Sequence, residues 1–594
     1  MSVAHIESEP KRELEDWIAP ECKGENFYDL DPYLDDLLRL YMPDDLREHL
    51  TPHLRKLGEV AGGVLDDLSR VANRHEPVLH QRDNYGRNLE WIEFHPAYRE
   101  MEKIAFRDFG LHCMSHKSGV FGWKEKMPLI AKYVFQYLFV QSEFGLICPV
   151  SATDSSALLI ERYGNDDVKK RFLDGMHSQD MTKILKGAQF MTEKTGGSDV
   201  GNIELEARHG DDGEWRLYGE KWFCSCADGD VVVLLARPVD GSKGTRGLGL
   251  FTVPRHLDDG TRNKYRIVRL KPKMGTKSMA SGEIIFDGAV AYPLGEVGEG
   301  DNPGLKQILD MVNISRLSHG VRGAGMMRRC VNESIMVAHN REAFGETLIR
   351  KPLLRRQLMK IIVPTEQAIS GCLYSLRMLD QAEDGDEMAQ RILRIMTPLV
   401  KFRICRDNAA VAQGAMEIRG GNGFIEDWIN PRLIRDAMTG LLWDGTSNIN
   451  SLDVTTRAIV KAGAHEALRE DLSGMVEDID GLPGQFKGEL QATITHAFDF
   501  AEQVAMSGNQ PLARQASNAL YNIATASLMA TEGAQLGAMG RDARRLLLAR
   551  LVIDHRLNPT DPLAINDSGD NDIVAAVLRK DMITLKDVHR MLSH

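Results

Sequence analysis

The sequence predicts an α+β chain, mainly α: an N-terminal helical domain, a middle antiparallel β-domain, a C-terminal helical bundle and an additional C-terminal helical region. Three observations carry that prediction. Apolar residues recur at helical spacing from about Leu30 to Met181, as in Leu34, Leu37, Leu38 and Tyr41. Between about Lys186 and Gly298 the texture changes to short β-rich runs separated by Asp-Gly and Gly-rich punctuation. From Asn302 onward helical patterns return.

Taken in order, residues 1–185 are expected to be mostly helix, broken by Pro and Gly at short intervals. Residues 186–298 hold the β-domain, with strands around Trp215–Tyr218, Val231–Leu235, Gly249–Val253 and Glu283–Phe286. Turns fall at Asp212-Gly213, Asp228-Gly229, Asp259-Gly260 and Asp287-Gly288. Residues 299–462 carry long helices over Leu305–Asn340, Lys351–Ala382, Glu387–Arg419 and Asn448–Ala462. Residues 463–594 also read helical, with Ala-rich stretches at Gln515–Leu536 and Arg541–Arg556 and a loop at Asn558–Asp572.

A chain of 594 residues is too long for one core and suggests three or four domains. Its net charge of −12 gives no general attraction to nucleic acid or to an anionic membrane. The eight cysteines lie apart except for Cys224 and Cys226, which fit neither a CxxC pair nor a zinc pattern, so they read as reduced thiols of a cytosolic (cytoplasmic) protein with no metal. Met1 to Cys22 alternates acids and bases and resembles no signal peptide, and no apolar run is long enough to span a bilayer.

Three segments could carry chemistry. The strip Arg435–Asn450 sets one carboxylate, Asp444, beside a Gly-Thr turn rich in hydrogen-bonding side chains. Abstracting a proton from a weakly acidic carbon needs such a positioned base. A cap on the following helix is the other reading of Asp444. The stretch Phe190–Asp199 combines hydroxyls with two glycines that permit close backbone approach to a planar or phosphorylated ligand, or else is a polar loop between strands. Gly420-Gly-Asn-Gly423 follows a helical run and lacks GxGxxG spacing, so nicotinamide binding is unsupported. Arg341 is either a solvated charge or a phosphate ligand.

Together Met191–Val200, Met416–Phe424 and Arg435–Asn450 resemble the three signatures of the acyl-CoA dehydrogenase family, and the resemblance spans roughly Leu65 to Ala462. It implies the family's fold, an FAD cofactor and a homodimer or homotetramer. It implies that Phe190, Thr192, Gly197 and Ser198 line the flavin, with Thr192 at the pyrimidine edge and Ser198 at a phosphate or the substrate. Phe223 would pack on the ring and Ser225 would lie near N5. Arg341-Glu-Ala-Phe344-Gly resembles the turn that crosses to a neighbouring subunit's pyrophosphate, with Glu417, Gly420 and Gly421 as the facing wall. Thr446 and Asn448 would touch the cofactor, and Arg316 would support the substrate cleft. Pro352 stands where many members have a Gln, which removes one expected hydrogen bond to the cofactor.

Most relatives have Glu where this chain has Asp444, and a minority place the base directly before an Arg on an earlier helix. That step is Ser315-Arg316 here, which leaves Asp444 as the candidate base. Ala72–Leu79, Glu93–Ala97 and Cys148–Ser151, with Pro352 and Ser225, resemble the AidB-like, adaptive-response branch. The implied activity is α,β-desaturation of an acyl-CoA, with Asp444 taking the α-proton, hydride passing to flavin N5 and electrons then to an electron-transfer flavoprotein. The alternatives are a flavin oxidase acting on a non-CoA carbon acid such as a nitroalkane, and an FAD- and DNA-binding stress protein. From Ser451 to His594 there are 14 Lys or Arg against 19 Asp or Glu, which argues against nonspecific DNA binding despite the cluster Arg541, Arg544, Arg545 and Arg550.

Overall fold

The computed structural model describes residues 18–592 apart from 560, 562 and 564–569. Residues 1–17 and most of the expected loop at 558–572 therefore lie outside the described residues. The N-terminal part contains α1 (Leu34–Tyr41), α2 (Asp44–Gly62), α3 (Val64–Arg74), α4 (Pro96–Glu102), α5 (Leu129–Phe139), α6 (Ile147–Tyr163) and α7 (Asp166–Met176). One departure from the expected helical texture is a hairpin of β1 (Val78–Arg82) and β2 (Asn88–Glu93), turned at Asp83–Gly86. Its signal is present in the sequence: aromatic and β-branched residues follow a Gly-containing turn.

The middle strands are β3 (Gly187–Gln189), β4 (Glu206–His209), β5 (Trp215–Ser225), β6 (Val231–Pro238), β7 (Gly249–Pro254), β8 (Tyr265–Leu270) and β9 (Ser281–Pro293). They form one sheet in the order β3-β6-β4-β5-β9-β7, with β8 on β9, and a further β6–β7 pairing closes the path on itself. The expected antiparallel pattern holds except at β6, where β3 and β4 run parallel to it. Neither is joined to β6 by a hairpin, and only direct hairpin links force antiparallel pairing. The β5–β9 register shifts between Lys221 and Cys224, and Phe223 beside that irregularity stands 55% exposed.

Beyond the sheet come α8 (Gly304–Asn340), α9 (Pro352–Glu383), α10 (Glu387–Arg419), α11 (Asn430–Gly440) and α12 (Ser447–Leu452). The last region adds α13 (Ala464–Asp478), α14 (Gly484–Met506), α15 (Ala513–Ala538), α16 (Arg545–Val552), α17 (Asn571–Val577) and α18 (Leu585–Leu592). Helix α8 is the central beam. It is buried on nearly every side from Arg316 to Ser334 and packs against α5, α6, α9, α10 and α11. Close approach needs small residues: a Cβ on Gly325 would sit 2.5 Å from the Tyr137 carbonyl oxygen.

Much of the charge buried along this beam is paired. Arg328 bridges Asp31 and Glu366, and Arg329 bridges Asp66 and Glu333. Glu366 also takes Arg545 at 2.8 Å, whose Nε reaches Glu532 at 2.7 Å, so α9, α15 and α16 are tied to α8 through shared carboxylates. Removing one partner of such a pair costs about 3–5 kcal/mol because the other charge is stranded. The remaining arginines of the C-terminal cluster are engaged as well: Arg541 by Asp35 and Asp36, Arg544 by Asp542, Arg550 by Glu489 and Asp554. Arg545 is fully buried.

Asp66 gives these pairs a pH signature. Burial would raise its carboxyl, but Arg329, Arg432 and Arg70 outweigh that and hold it at about 2, against an ordinary 3.8. A depressed carboxyl stabilises the fold above its unfolded pKa and loses that contribution as pH falls through the folded one. Acid titration should remove about 2 kcal/mol through Asp66 between roughly pH 4 and pH 2. In Asp66→Asn, measured by urea unfolding, stability should be lower at pH 7 and its acid dependence shallower.

Candidate active site

Position 444 adopts a left-handed backbone, φ 52°, followed by Gly445 at φ 99°. Asp is among the few non-glycine residues that tolerate this region. The turn is held from three sides. Lys401 Nζ donates to the carbonyls of Gly440 and Gly445 at 2.8 and 2.6 Å. Asn450 Nδ2 donates to the Gly445 and Thr446 carbonyls. Arg316 Nε donates to the Asp444 carbonyl at 3.2 Å, and its Nη1 pairs with Asp453 at 2.8 Å. Arg316 is thus buried and fixes the turn from behind.

The Asp444 side chain reaches α8. Its Oδ2 accepts from Ser315 Oγ at 2.5 Å and from His319 Nε2 at 2.9 Å. Residues 315 and 319 are one helical turn apart on the same face. The helix-cap reading is overturned: Thr446 is the N-cap of α12 and makes no side-chain capping bond, while Asp444 turns to α8. Ser315 occupies the other family position for a base, so the two alternatives meet at one carboxylate.

Burial pushes the His319 imidazole down to about 4, with Arg322 adding to the effect, so at neutral pH it is an uncharged donor through Nε2–H. Burial would raise Asp444, but the His319 contact, then Ser315 and Lys401, hold it below the ordinary carboxylate range. The ring edge of His319 meets Trp443 at 5.5 Å, and Trp443 stacks on Phe144 at 6.4 Å. Cys148 at the start of α6 completes the group. Its thiol lies beside Ser225 and within electrostatic reach of Arg322, Lys273 and Asp444, while burial raises its pKa. Ser225 of β5, α6, α8 and the 444 turn therefore converge.

The other expected residues fall into two places. Thr192 and Gly197 face each other, since a Cβ on Gly197 would lie 2.9 Å from Thr192 Oγ1, and the Thr192 carbonyl accepts from the Trp222 N–H at 2.8 Å. Ser198, Phe223, Thr446 and Asn448 are exposed, whereas Phe190 is a core residue at 1%. At the second place Arg341 Nη1 contacts the Arg419 carbonyl at 3.4 Å and lies 3.2 Å from where a Gly420 Cβ would be. Arg341, Gly421 and Asn422 line a cavity of about 180 Å³, and Glu417 accepts from Gln357 at 3.0 Å. The Arg341 turn is a two-residue hairpin with Phe344 at φ 54° and Gly345 at φ 82°, which leaves Phe344 93% exposed.

Among the described residues, His116, Glu161 and His177 bring three ligand atoms within 4.8 Å of one another. Both His116 nitrogens are already taken by Asp154 and Glu161, which raise the imidazole's pKa against the effect of burial. His319, Arg322 and Cys148 went unassigned at the level of sequence. For His319 and Arg322 the signal was the spacing 315, 319, 322 within Ser-Arg-Leu-Ser-His-Gly-Val-Arg.

A carboxylate on a strained turn between a closed sheet and a helical bundle defines the acyl-CoA dehydrogenase class of fold. The profile for the adaptive response protein AidB N-terminal domain matches residues 18–181, that for the acyl-CoA dehydrogenase middle domain residues 188–289, and that for its C-terminal domain residues 302–459. The chain is 32% identical to AidB of Escherichia coli (strain K12) over 415 residues, covering 68% of this chain and 73% of that one. It is 31% identical to acyl-CoA dehydrogenase family member 11 of Caenorhabditis elegans over 439 residues, covering 72% and 70%. The crystal structure of C. elegans ACDH-11 in complex with C11-CoA superposes with a TM-score of 0.83 at 25% identity, over 94% of this chain and 96% of that one. The chain belongs to the acyl-CoA dehydrogenase family, with an AidB-type N-terminal domain, and is by that membership an oxidoreductase.

His319→Leu removes a buried donor to Asp444. The carboxyl should then titrate at least about one unit higher, read as the infrared carboxyl band that Asp444→Asn abolishes.

Proposed function

We propose that this protein is an FAD-dependent acyl-CoA dehydrogenase that oxidises the α,β bond of an acyl-CoA thioester with Asp444 as the base. The observation that carries this reading is the Asp444 carboxylate, oriented by Ser315 and His319 beside Ser225 and Cys148. The residues fit FAD. Thr192, Gly197, Ser198, Phe223, Ser225, Thr446 and Asn448 would hold it on one side. Arg341, Phe344, Glu417, Gly420 and Gly421 would hold a neighbouring subunit's dinucleotide. Arg341 has no carboxylate partner among the described residues and lines a cavity beside glycines that leave room for a diphosphate. When bound, FAD supplies at N5 the acceptor for the hydrogen and electron pair that leave the β-carbon.

The chain's own groups handle the proton. The Asp444 carboxylate takes it from the α-carbon while the thioester oxygen accepts from the Asp444 N–H, which has no other partner among the described residues. In the resting site the His319 and Ser315 donors make Asp444 a weak base. Entry of an apolar chain that displaces either donor raises its basicity where the proton is lost. Aspartate is one methylene shorter than the glutamate of most relatives, and the left-handed turn aims it toward α8, so the thioester must sit close to the 444 backbone.

The exposed Phe344 at the tip of the Arg341 turn fits a contact with a second copy and supports a homo-oligomer. Electron-transfer flavoprotein is the acceptor this reading implies. A flavin oxidase acting on a small carbon acid without CoA is the second reading, favoured by the aspartate base, and would release peroxide with no thioester present. The DNA-binding reading loses its footing because each arginine of the cluster at 541, 544, 545 and 550 is held by a carboxylate of the same chain.

Asp444→Asn should retain FAD and lose substrate-dependent bleaching of the flavin band in anaerobic stopped flow, by about 10³-fold or more, since it removes the base while keeping the shape. Full bleaching in the variant would refute the assignment.

A further inference from the structure

Arg322 lies on the same face of α8 as Ser315 and His319, at positions i, i+4 and i+7. It stands about 4.5 Å beyond His319 and about 10.5 Å beyond Ser315 along the helix axis. The side chain is 2% exposed. Its Nε donates to Ser318 Oγ at 3.1 Å, and Ser318 Oγ donates to Gln136 Oε1 at 3.2 Å. That leaves two buried donors unused: Arg322 Nη1 and Gln136 Nε2 have no partner. Both branch from the same Ser318 hydroxyl. No carboxylate lies within ion-pair distance of Arg322 among the described residues, and the Phe144 ring at 5.9 Å is a weak substitute.

The charge around the site does not balance. Arg322 interacts with Cys148, Asp444, Tyr133 and Cys405, and of these the Asp444 carboxylate alone is ionised at neutral pH. Asp444 is already bound by Ser315 and His319. Lys401, a second buried cation near Asp444, is met by carbonyls only. Burial lowers the affinity of Arg322 for its proton, yet a guanidinium stays charged in proteins. A buried cation with an open amino group beside an unpaired amide is a costly arrangement unless something supplies the missing negative charge.

We propose that Arg322 and Gln136 form an anion subsite for the far end of the substrate. The acyl group then carries a carboxylate a few bonds beyond its β-carbon, as in the half-thioester of a short dicarboxylic acid. One carboxylate oxygen accepts from Arg322 Nη1 and the other from Gln136 Nε2. This deepens the dehydrogenase reading and rests on it for the position of the thioester. His319 and Arg322 give this face of α8 polar groups where a plain fatty chain would want apolar walls.

The test uses the FAD-loaded protein and two matched pairs of ligands: glutaryl-CoA with pentanoyl-CoA, and adipyl-CoA with hexanoyl-CoA. Binding is read by calorimetry in Asp444→Asn, and flavin reduction is read in the wild-type protein. At least one carboxylate-ended thioester should bind about 100-fold or more tightly than its methyl-ended match, since a buried donor set rejects a ligand that lacks the acceptor. Arg322→Met should abolish that preference and leave methyl-ended binding unchanged or tighter, whereas Arg322→Lys, which keeps the charge, should retain part of it. Equal binding within both pairs, or Arg322→Met weakening both members alike, would overturn the proposal. A carboxylate preference without flavin reduction by any thioester keeps the subsite and removes the dehydrogenase reading. Reduction by methyl-ended thioesters with no preference keeps the dehydrogenase reading and removes the subsite.

Discussion

One hydrogen-bonded carboxylate organises the proposed site: Asp444 Oδ2 between the Ser315 hydroxyl and the His319 imidazole. The contact joins the 444 turn to the long helix α8, and α8 touches both the N-terminal helices and the rest of the bundle. A left-handed aspartate is strained on its own, at about 1–3 kcal/mol. It persists because Lys401, Asn450 and Arg316 take the surrounding carbonyls. The same bonds that fix the proposed base in place also quiet it, because they stabilise its ionised form. In the proposed mechanism a resting site with a weak base and a working site with a stronger one differ in whether those donors remain in contact.

The scaffold follows the same logic of shared carboxylates. Glu366 receives both Arg328 and Arg545, and Glu333 receives both Arg329 and Arg419. Buried ion pairs of this kind add little net stability over apolar packing, but they punish misalignment, since any slip strands a charge. They register α8 against its neighbours. Ser315, His319 and Arg322 are carried on that beam, so its register sets where the polar stripe of the cleft falls. Of the C-terminal arginines that could have formed a basic face, Arg545 is spent on this internal registration, and Arg541, Arg544 and Arg550 pair with other carboxylates.

Much of the fold was legible because periodicity and turn chemistry agree along most of the chain. The helices Leu305–Asn340 and Glu387–Arg419 and the strands at 231 and 249 were expected within a few residues of where they lie. The hairpin at 78–93 hid within helical surroundings, and the parallel pairings at β6 depend on which strands meet after long connections, which local pattern does not encode. In the site, Asp444 could be singled out because its neighbours in sequence form a recognisable turn. His319 and Arg322 could not, because a His or Arg on a buried helix face reads as packing until the partner from 125 residues away is known. The helix-cap alternative for Asp444 failed for the same reason: local sequence offered a nearby N-terminus, and the tertiary contact with α8 won.

Loss of the substrate's α-proton to solvent tests the central claim most directly. With a thioester that binds but cannot lose its β-hydrogen, in D₂O under anaerobic conditions, the account predicts that the protein catalyses exchange of the α-protons, followed by proton NMR, and that Asp444→Asn does not. Undiminished exchange in the variant would place the base elsewhere and contradict the account.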